Sequence, residues 1–168
     1  ATDMTLAWTR DDGWVAIMPT IDCGCRSILG ILTSRDQDAP TLLASVRMAL
    51  VAAYGSPDSV PDGLELRTDH GPQYTGSECE ALVAHWRMNH TYAPVGRPTG
   101  NAVVERVIRT LKEDVIWPRD WRNAEEVRTA VDAWVVAYNT RRPHQALGWK
   151  TPAEYRAERL AAMLPIAA

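Results

Sequence analysis

Three carboxylates stand out by where they fall in this 168-residue chain. Asp3 opens an extended apolar segment, Asp69 ends another at Thr68-Asp69-His70-Gly71-Pro72, and Glu105 lies in the first turns of a helical pattern. Adjacent strands would set Asp3 beside Asp69, and a helix laid across them would bring Glu105 over both. Three carboxylates so crowded repel one another unless a cation neutralises them. Hard oxygen ligands select Mg²⁺ or Mn²⁺. Two such ions, about 3.5–4 Å apart, support in-line displacement at phosphorus, one activating the attacking water or hydroxyl and the other stabilising the leaving oxygen.

The elements that must position these acids can be read from periodicity and punctuation. In the Glu105 segment, Val104, Ile108, Leu111 and Val115 step by four, three and four and form one apolar stripe. Glu105, Arg109 and Lys112 fall on a second line roughly a quarter turn away, so Glu105 sits on the shoulder of the buried face. Upstream, Asp3 to Trp8 reads as a strand, Asp11-Asp12-Gly13 as a hairpin turn, Trp14 to Ile21 as a buried strand and Arg26 to Thr33 as a third. Together they predict an antiparallel meander. Pro40 opens a helix with Leu43, Val46, Met48, Leu50 and Val51 as its apolar positions, ending at Tyr54-Gly55. A short strand Leu64–Thr68, a helix from Ser77 to Trp86 capped by Ser77, and a strand from His90 to Ala93 follow. Pro94 to Gly100 is expected to be a mobile loop. Asn123 caps another helix, and Thr151-Pro152-Ala153-Glu154 is a capping box that opens the last. The order β-β-β-α-β-α-β-α-α-α predicts one α/β domain over residues 1–168, a mixed sheet covered by helices.

Composition narrows the setting. The chain is 46% hydrophobic, enough for a sizeable core, with no apolar run of about 18 residues to span a membrane. It opens on Ala1-Thr2-Asp3 with neither a signal peptide nor an initiator Met, so a fragment of a longer, cytoplasmic protein is expected. Three cysteines, an odd number, suggest reduced thiols, and Cys23-Gly24-Cys25 is too tight for a zinc knuckle. The net charge of −3 argues against a dedicated nucleic-acid binder. Its distribution is uneven: residues 1–94 carry 6 Lys/Arg against 12 Asp/Glu, residues 95–168 carry 12 against 9. The C-terminal half is the one suited to phosphate.

A spacing of 35 residues between Asp69 and Glu105 is by itself a weak motif. Its context is specific. Asp3-Met4-Thr5, Thr68-Asp69-His70-Gly71, Gly100-Asn101-Ala102-x-x-Glu105, and Tyr138-Asn139-x-x-Arg142-Pro143-His144-x-x-Leu147 with Thr151-Pro152 together resemble the catalytic core of retroviral integrases and bacterial insertion-sequence transposases, the D,D-35-E group. The resemblance covers nearly the whole chain. It implies an RNase H-like α/β fold with a mixed five-stranded sheet, and Mg²⁺ or Mn²⁺, two ions, held by Asp3, Asp69 and Glu105. It implies DNA end cleavage by water followed by strand transfer from a 3′-hydroxyl. The partners would be mobile-element ends and target DNA, with self-association of the full-length protein. Lys112, with Arg109 and Arg97, would meet the DNA backbone, while His70 and Asn101 would support the ligands from behind. The recognition domains that usually precede such a core are not among these residues.

Competing roles are definite enough to test. Asp22, between two strands, rivals Asp3 as first ligand. Glu105 would be an ordinary surface acid if it paired with Arg109 at i+4. Trp134 and Tyr138 share a helical face and are expected in the core. An exposed aromatic among Trp117 and Trp121 would suit a dimer contact. His144 is expected to close the connection after the Tyr138 helix. Two other functions share the fold: a hydrolytic nuclease, and a non-catalytic module for DNA binding or dimerisation.

Overall fold

The computed structural model describes residues 1–93 and 101–163. Its elements are β1 (Thr5–Thr9), β2 (Gly13–Ile21), β3 (Ile28–Ser34), α1 (Ala39–Tyr54), β4 (Glu65–Thr68), α2 (Pro72–Thr75), α3 (Ser77–His85), β5 (Asn89–Tyr92), α4 (Ala102–Leu111), α5 (Ala124–Arg141) and α6 (Pro152–Met163). The expected order is present, with one addition: the short α2, which Gly71-Pro72 starts immediately after Asp69.

The five strands hydrogen-bond as two groups rather than as one continuous sheet. The β1-β2-β3 meander is antiparallel, with Thr5 opposite Ile17 and Ala16 opposite Ser34, and β4 pairs with β5 in parallel. The groups are joined at Thr2, whose N–H donates to Arg67 O on β4 (3.1 Å) while the residue bridges Thr20 on β2. The ladder stops there because the Asp3 carboxylate takes the next N–H, that of Met4, at 2.7 Å.

β2 is buried from Val15 to Ile21 because helices cover both faces. On one side Ala16 and Met18 pack with Leu42, Leu43, Val46 and Leu50 of α1 and with Leu82 and Trp86. On the other, Ala7 and Ile17 pack with Leu111, Val127 and Val131, and Ile21 and Ile28 pack with Val104, Ile108 and Tyr138. In α1, Leu43, Val46 and Leu50 face inward as expected, but Met48 and Val51 are exposed. At 100° per residue both fall outside the arc that the sheet covers.

The helix ends follow their caps. Asp38 accepts from Thr41 N–H and starts α1 one residue before Pro40. Asn123 accepts from Glu126 N–H at 3.0 Å. Thr151 and Glu154 close the reciprocal box at 2.8 and 3.3 Å. Ser77 makes no cap; Gly76 holds that position and Ser77 is the first helical residue of α3. α4 widens into a π turn over Lys112–Ile116, which aims Asp114 at α5, where it accepts from Trp134 Nε1 at 2.9 Å and pairs with Arg142.

The Tyr138-Asn139…His144 signature is structural. Asn139 clamps α5 to the start of β3, accepting from Ile28 N–H at 3.0 Å and donating to Ile28 O at 2.9 Å. His144 packs edge-on against Tyr138, its N–H donates to Lys150 O, and its carbonyl accepts from Leu147 and Trp149. Burial, then the nearby Arg142 and Arg26 charges, hold the His144 imidazole below its ordinary range. The unfolded chain therefore takes up a proton at higher pH than the fold does, and stability is lost as pH falls below the ordinary histidine value. The melting temperature should drop from pH 7 to pH 5, and less so in His144→Gln, as followed by circular dichroism.

Candidate active site

Each acid is delivered by a different element. Asp3 lies between the Thr2 junction and β1 and is half-buried. Asp69 follows the last residue of β4 and accepts from Gly71 N–H at 2.8 Å, a local turn that turns the chain into α2. A β-carbon at Gly71 would lie 2.9 Å from Asp69 Oδ1 and 2.6 Å from Gln73 Nε2, so glycine keeps that turn open. Glu105 is in the first turn of α4, and its N–H donates to Asn101 O at 3.1 Å. Its side chain is exposed, while Val104, Val107, Ile108 and Leu111 anchor the helix to the sheet.

These acids share one electrostatic environment. Burial first, and then the Asp69 and Glu105 charges, push the Asp3 carboxyl above its ordinary range. The Met4 N–H and the Lys112 ammonium pull it the other way. Beneath them, Tyr74 is fully buried, and its phenol is raised chiefly by burial, with Asp3 and Asp69 adding to the shift. Asp22 is engaged elsewhere: it accepts from Gly24 and Cys25 N–H at 2.7 and 3.2 Å and faces Arg156 at 3.5 Å.

The donor set fits a hard divalent cation in chemistry and in sign. It is all oxygen, and the ionised form of Asp3 is opposed until positive charge arrives. Among the described residues no three His, Cys, Asp or Glu side chains are gathered closely enough to enclose an ion unaided. Asp69 and Glu105 are both exposed, so neither carboxylate is locked in place by packing.

The other expected site residues divide. Lys112 caps the end of α4 and is half-buried within reach of the Asp3 charge. Arg109 Nε donates to Glu113 Oε1 at 2.8 Å in an exposed pair. Glu105 makes no ion pair with Arg109. Arg97 and the loop from 94 to 100 lie outside the described residues. His70 stacks on Tyr92 with ring centroids 4.7 Å apart, and Asn101 is buried, donating to Thr2 O at 3.4 Å. Thr2, Tyr74 and His90, which meets Thr68 Oγ1 at 3.0 Å behind Asp69, carry no sequence signal beyond their nearness to the acids. If Lys112 meets the DNA backbone as expected, Lys112→Ala should weaken DNA binding evenly across sequences and reduce the log–log salt slope by about one, measured by fluorescence anisotropy.

The family model described as integrase core domain matches residues 1–98, and a second of the same description matches residues 71–152. The chain belongs to the integrase core domain family. Relatives of this integrase core include the transposase for insertion sequence element IS904 of Lactococcus lactis, 30% identical over 91% of this chain and 58% of that protein. Transposase InsF for insertion sequence IS3A of Escherichia coli is 26% identical over 96% of this chain and 54% of that protein. The chain thus spans about half the length of the curated relatives it matches. The catalytic core domain of BIV integrase shares the fold, with a TM-score of 0.66 at 19% identity over 97% of both chains. The HTLV-2 integrase catalytic core domain, in complex with magnesium, gives 0.66 at 14% identity over 92% of both. The architecture is therefore RNase H-like, and among the described residues no helix is long and apolar enough to cross a membrane.

Proposed function

We propose that this integrase core performs metal-dependent phosphoryl transfer on DNA, cutting at mobile-element ends and joining the resulting 3′-hydroxyl to target DNA. What supports this is the placement of Asp3 just before β1, Asp69 just after β4 and Glu105 in the first turn of α4, near enough that the Asp69, Glu105 and Lys112 charges act on the half-buried Asp3 carboxyl. Three acids from three separate elements converge electrostatically on a surface that also carries a cationic side chain. The relatives named as transposases support the choice of substrate. Asp3, Asp69 and Glu105 would together hold the divalent ions, two Mg²⁺ or Mn²⁺. Asp3 is preferred over Asp22 because Asp3 lies within reach of the Asp69, Glu105 and Lys112 charges, whereas Asp22 faces Arg156.

When bound, the metals supply activation of the attacking oxygen and neutralise charge on the leaving one. The chain's own residues do the rest. Asp3, just before β1, and Asp69, just after β4, would fix the direction of attack, with Glu105 brought by the first turn of α4. Lys112 neutralises a DNA phosphate and tempers repulsion among the acids. Among the described residues no Ser or Tyr hydroxyl is hydrogen-bonded to a His, Asp or Glu side chain, in keeping with direct attack by water or a 3′-hydroxyl. Arg97 and Arg109 contribute backbone contacts, the latter once DNA competes with Glu113. His70 and Asn101 support the ligands. Joining two ends requires two active sites, so self-association of the full-length protein belongs to the same proposal. Trp117, 65% exposed beside the π turn, offers an apolar contact for it, whereas Trp121 is buried and donates to Ile116 O.

The test supplies the full-length protein with Mn²⁺, labelled duplexes ending in 3′-hydroxyls and a supercoiled plasmid. Joined product is the expected outcome. Hydrolysis with no joined product would assign a nuclease instead, and DNA binding without any strand cleavage would assign a non-catalytic module.

A further inference from the structure

We infer that Thr2 and Asn101 form a positioning knot that sets the three carboxylates relative to one another; the inference rests on the reading of those acids as metal ligands. Thr2 is completely buried, and its polar groups reach three elements, β4, β2 and the start of α4. Its N–H donates to Arg67 O at 3.1 Å, two residues before Asp69. Its carbonyl accepts from Asn101 Nδ2 at 3.4 Å, four residues before Glu105. Its hydroxyl donates to Pro19 O on β2 at 3.0 Å and accepts from Thr20 Oγ1 at 3.2 Å. Thr20 Oγ1 in turn lies 2.9 Å from Ser45 Oγ on α1. Asp3 is the next residue in the chain.

Every ligand thus lies within four residues of one buried junction. Among the described residues the Thr2 N–H to Arg67 O bond is the one backbone hydrogen bond between the two groups of strands. With so thin a seam, the separation of Asp3 from Asp69 depends on where residue 2 sits; the backbone bridge to Thr20 places residue 2 on β2, and the hydroxyl, donating to Pro19 O and accepting from Thr20 Oγ1, fixes it there. Asn101 does the same for α4. Among the described residues Asn101 Oδ1 has no hydrogen-bond partner, and the side chain's one hydrogen bond there is the donation to Thr2 O. Metal ligands held from behind in this way lose affinity when the support is removed, though the support never touches the ion.

Thr2→Val keeps the shape and removes the hydroxyl, Thr2→Ser keeps the hydroxyl, and Asn101→Leu keeps the approximate shape and removes the donor. Asn139→Ala is the control, because it breaks the α5–β3 clamp away from the acids. Binding of Mn²⁺ by this chain is read by electron paramagnetic resonance, and folding by circular dichroism melts. Thr2→Val and Asn101→Leu should each weaken Mn²⁺ binding about tenfold. Thr2→Ser should stay near the wild type, and Asn139→Ala should lower the melting temperature while Mn²⁺ affinity stays within about twofold of the wild type. Unchanged Mn²⁺ affinity in Thr2→Val and Asn101→Leu, or an equal loss in Asn139→Ala, overturns the knot. Should Asn101→Leu fail to fold, the contrast between Thr2→Val and Thr2→Ser decides. A wild type that binds Mn²⁺ but joins no DNA sinks the strand-transfer reading alone, and one that binds no Mn²⁺ sinks both.

Discussion

Asp3→Asn, Asp69→Asn and Glu105→Gln should each reduce strand transfer by about a thousandfold or more, the scale on which removing one member of a catalytic unit is felt. Each substitution leaves shape nearly unchanged and removes one negative oxygen ligand. Because the three act on the same ions, any double substitution should be little worse than a single one. The measurement is the initial rate of joined product at saturating Mn²⁺. A variant retaining a tenth of wild-type activity would remove that residue from the ligand set, and activity lost in Asp22→Asn but kept in Asp3→Asn would exchange the first ligand.

The same substitution at Asp3 carries an opposite effect on the metal-free fold. Its carboxyl is raised from the ordinary 3.8, so the folded state resists ionisation that the unfolded chain accepts. Stability is therefore lost as pH rises from that ordinary value through the raised one, and the full penalty stands at neutral pH. In chelator, Asp3→Asn should melt above the wild type at pH 7 and lose that advantage near pH 4. Mn²⁺ should reverse the order, because a ligand stabilises only the form that binds it. Loss of function paired with gain of stability is the mark of a strained site rather than of a structural acid. A purely structural Asp3 would lower both.

Much of this was legible in the residues. The stripe Val104, Ile108, Leu111 is buried and Glu105 beside it is not, because a 3.6-residue period settles both at once. Asn123 and Thr151 announced their helices because capping is local chemistry. What the sequence hid was non-local. Met48 and Val51 are as apolar as Leu50, and only the position of the sheet decides that they face outward. The division of the strands at Thr2 depends on which acceptor takes the Met4 N–H, and no periodicity encodes that choice. Asn139 was visible as part of a motif, but its partner is 111 residues away.

The largest effect on folding should come from a residue with no side chain. Gly30 lies on β3 where α1 crosses it, and a β-carbon there would meet the Ser45 carbonyl head-on, with Ala49 N at 2.9 Å and Ala49 Cβ at 3.2 Å. Two of these are backbone atoms inside a helix and cannot give way singly; α1 would have to lift as a unit. Overpacking of this kind costs about 1–3 kcal/mol when side chains can adjust, and more when they cannot. For a domain of this size Gly30→Ala should lower the melting temperature by roughly 10 °C, and Gly30→Val should leave little folded protein at 37 °C. The displacement has a second consequence. Ser45, the residue struck first, also holds Thr20 Oγ1, and Thr20 holds Thr2. Lifting α1 therefore loosens the junction beside Asp3, and Gly30→Ala should weaken Mn²⁺ binding at temperatures well below its own melting point. An Asn139→Ala variant brought to the same melting temperature should not, which separates a clash transmitted through Ser45 from general loss of stability.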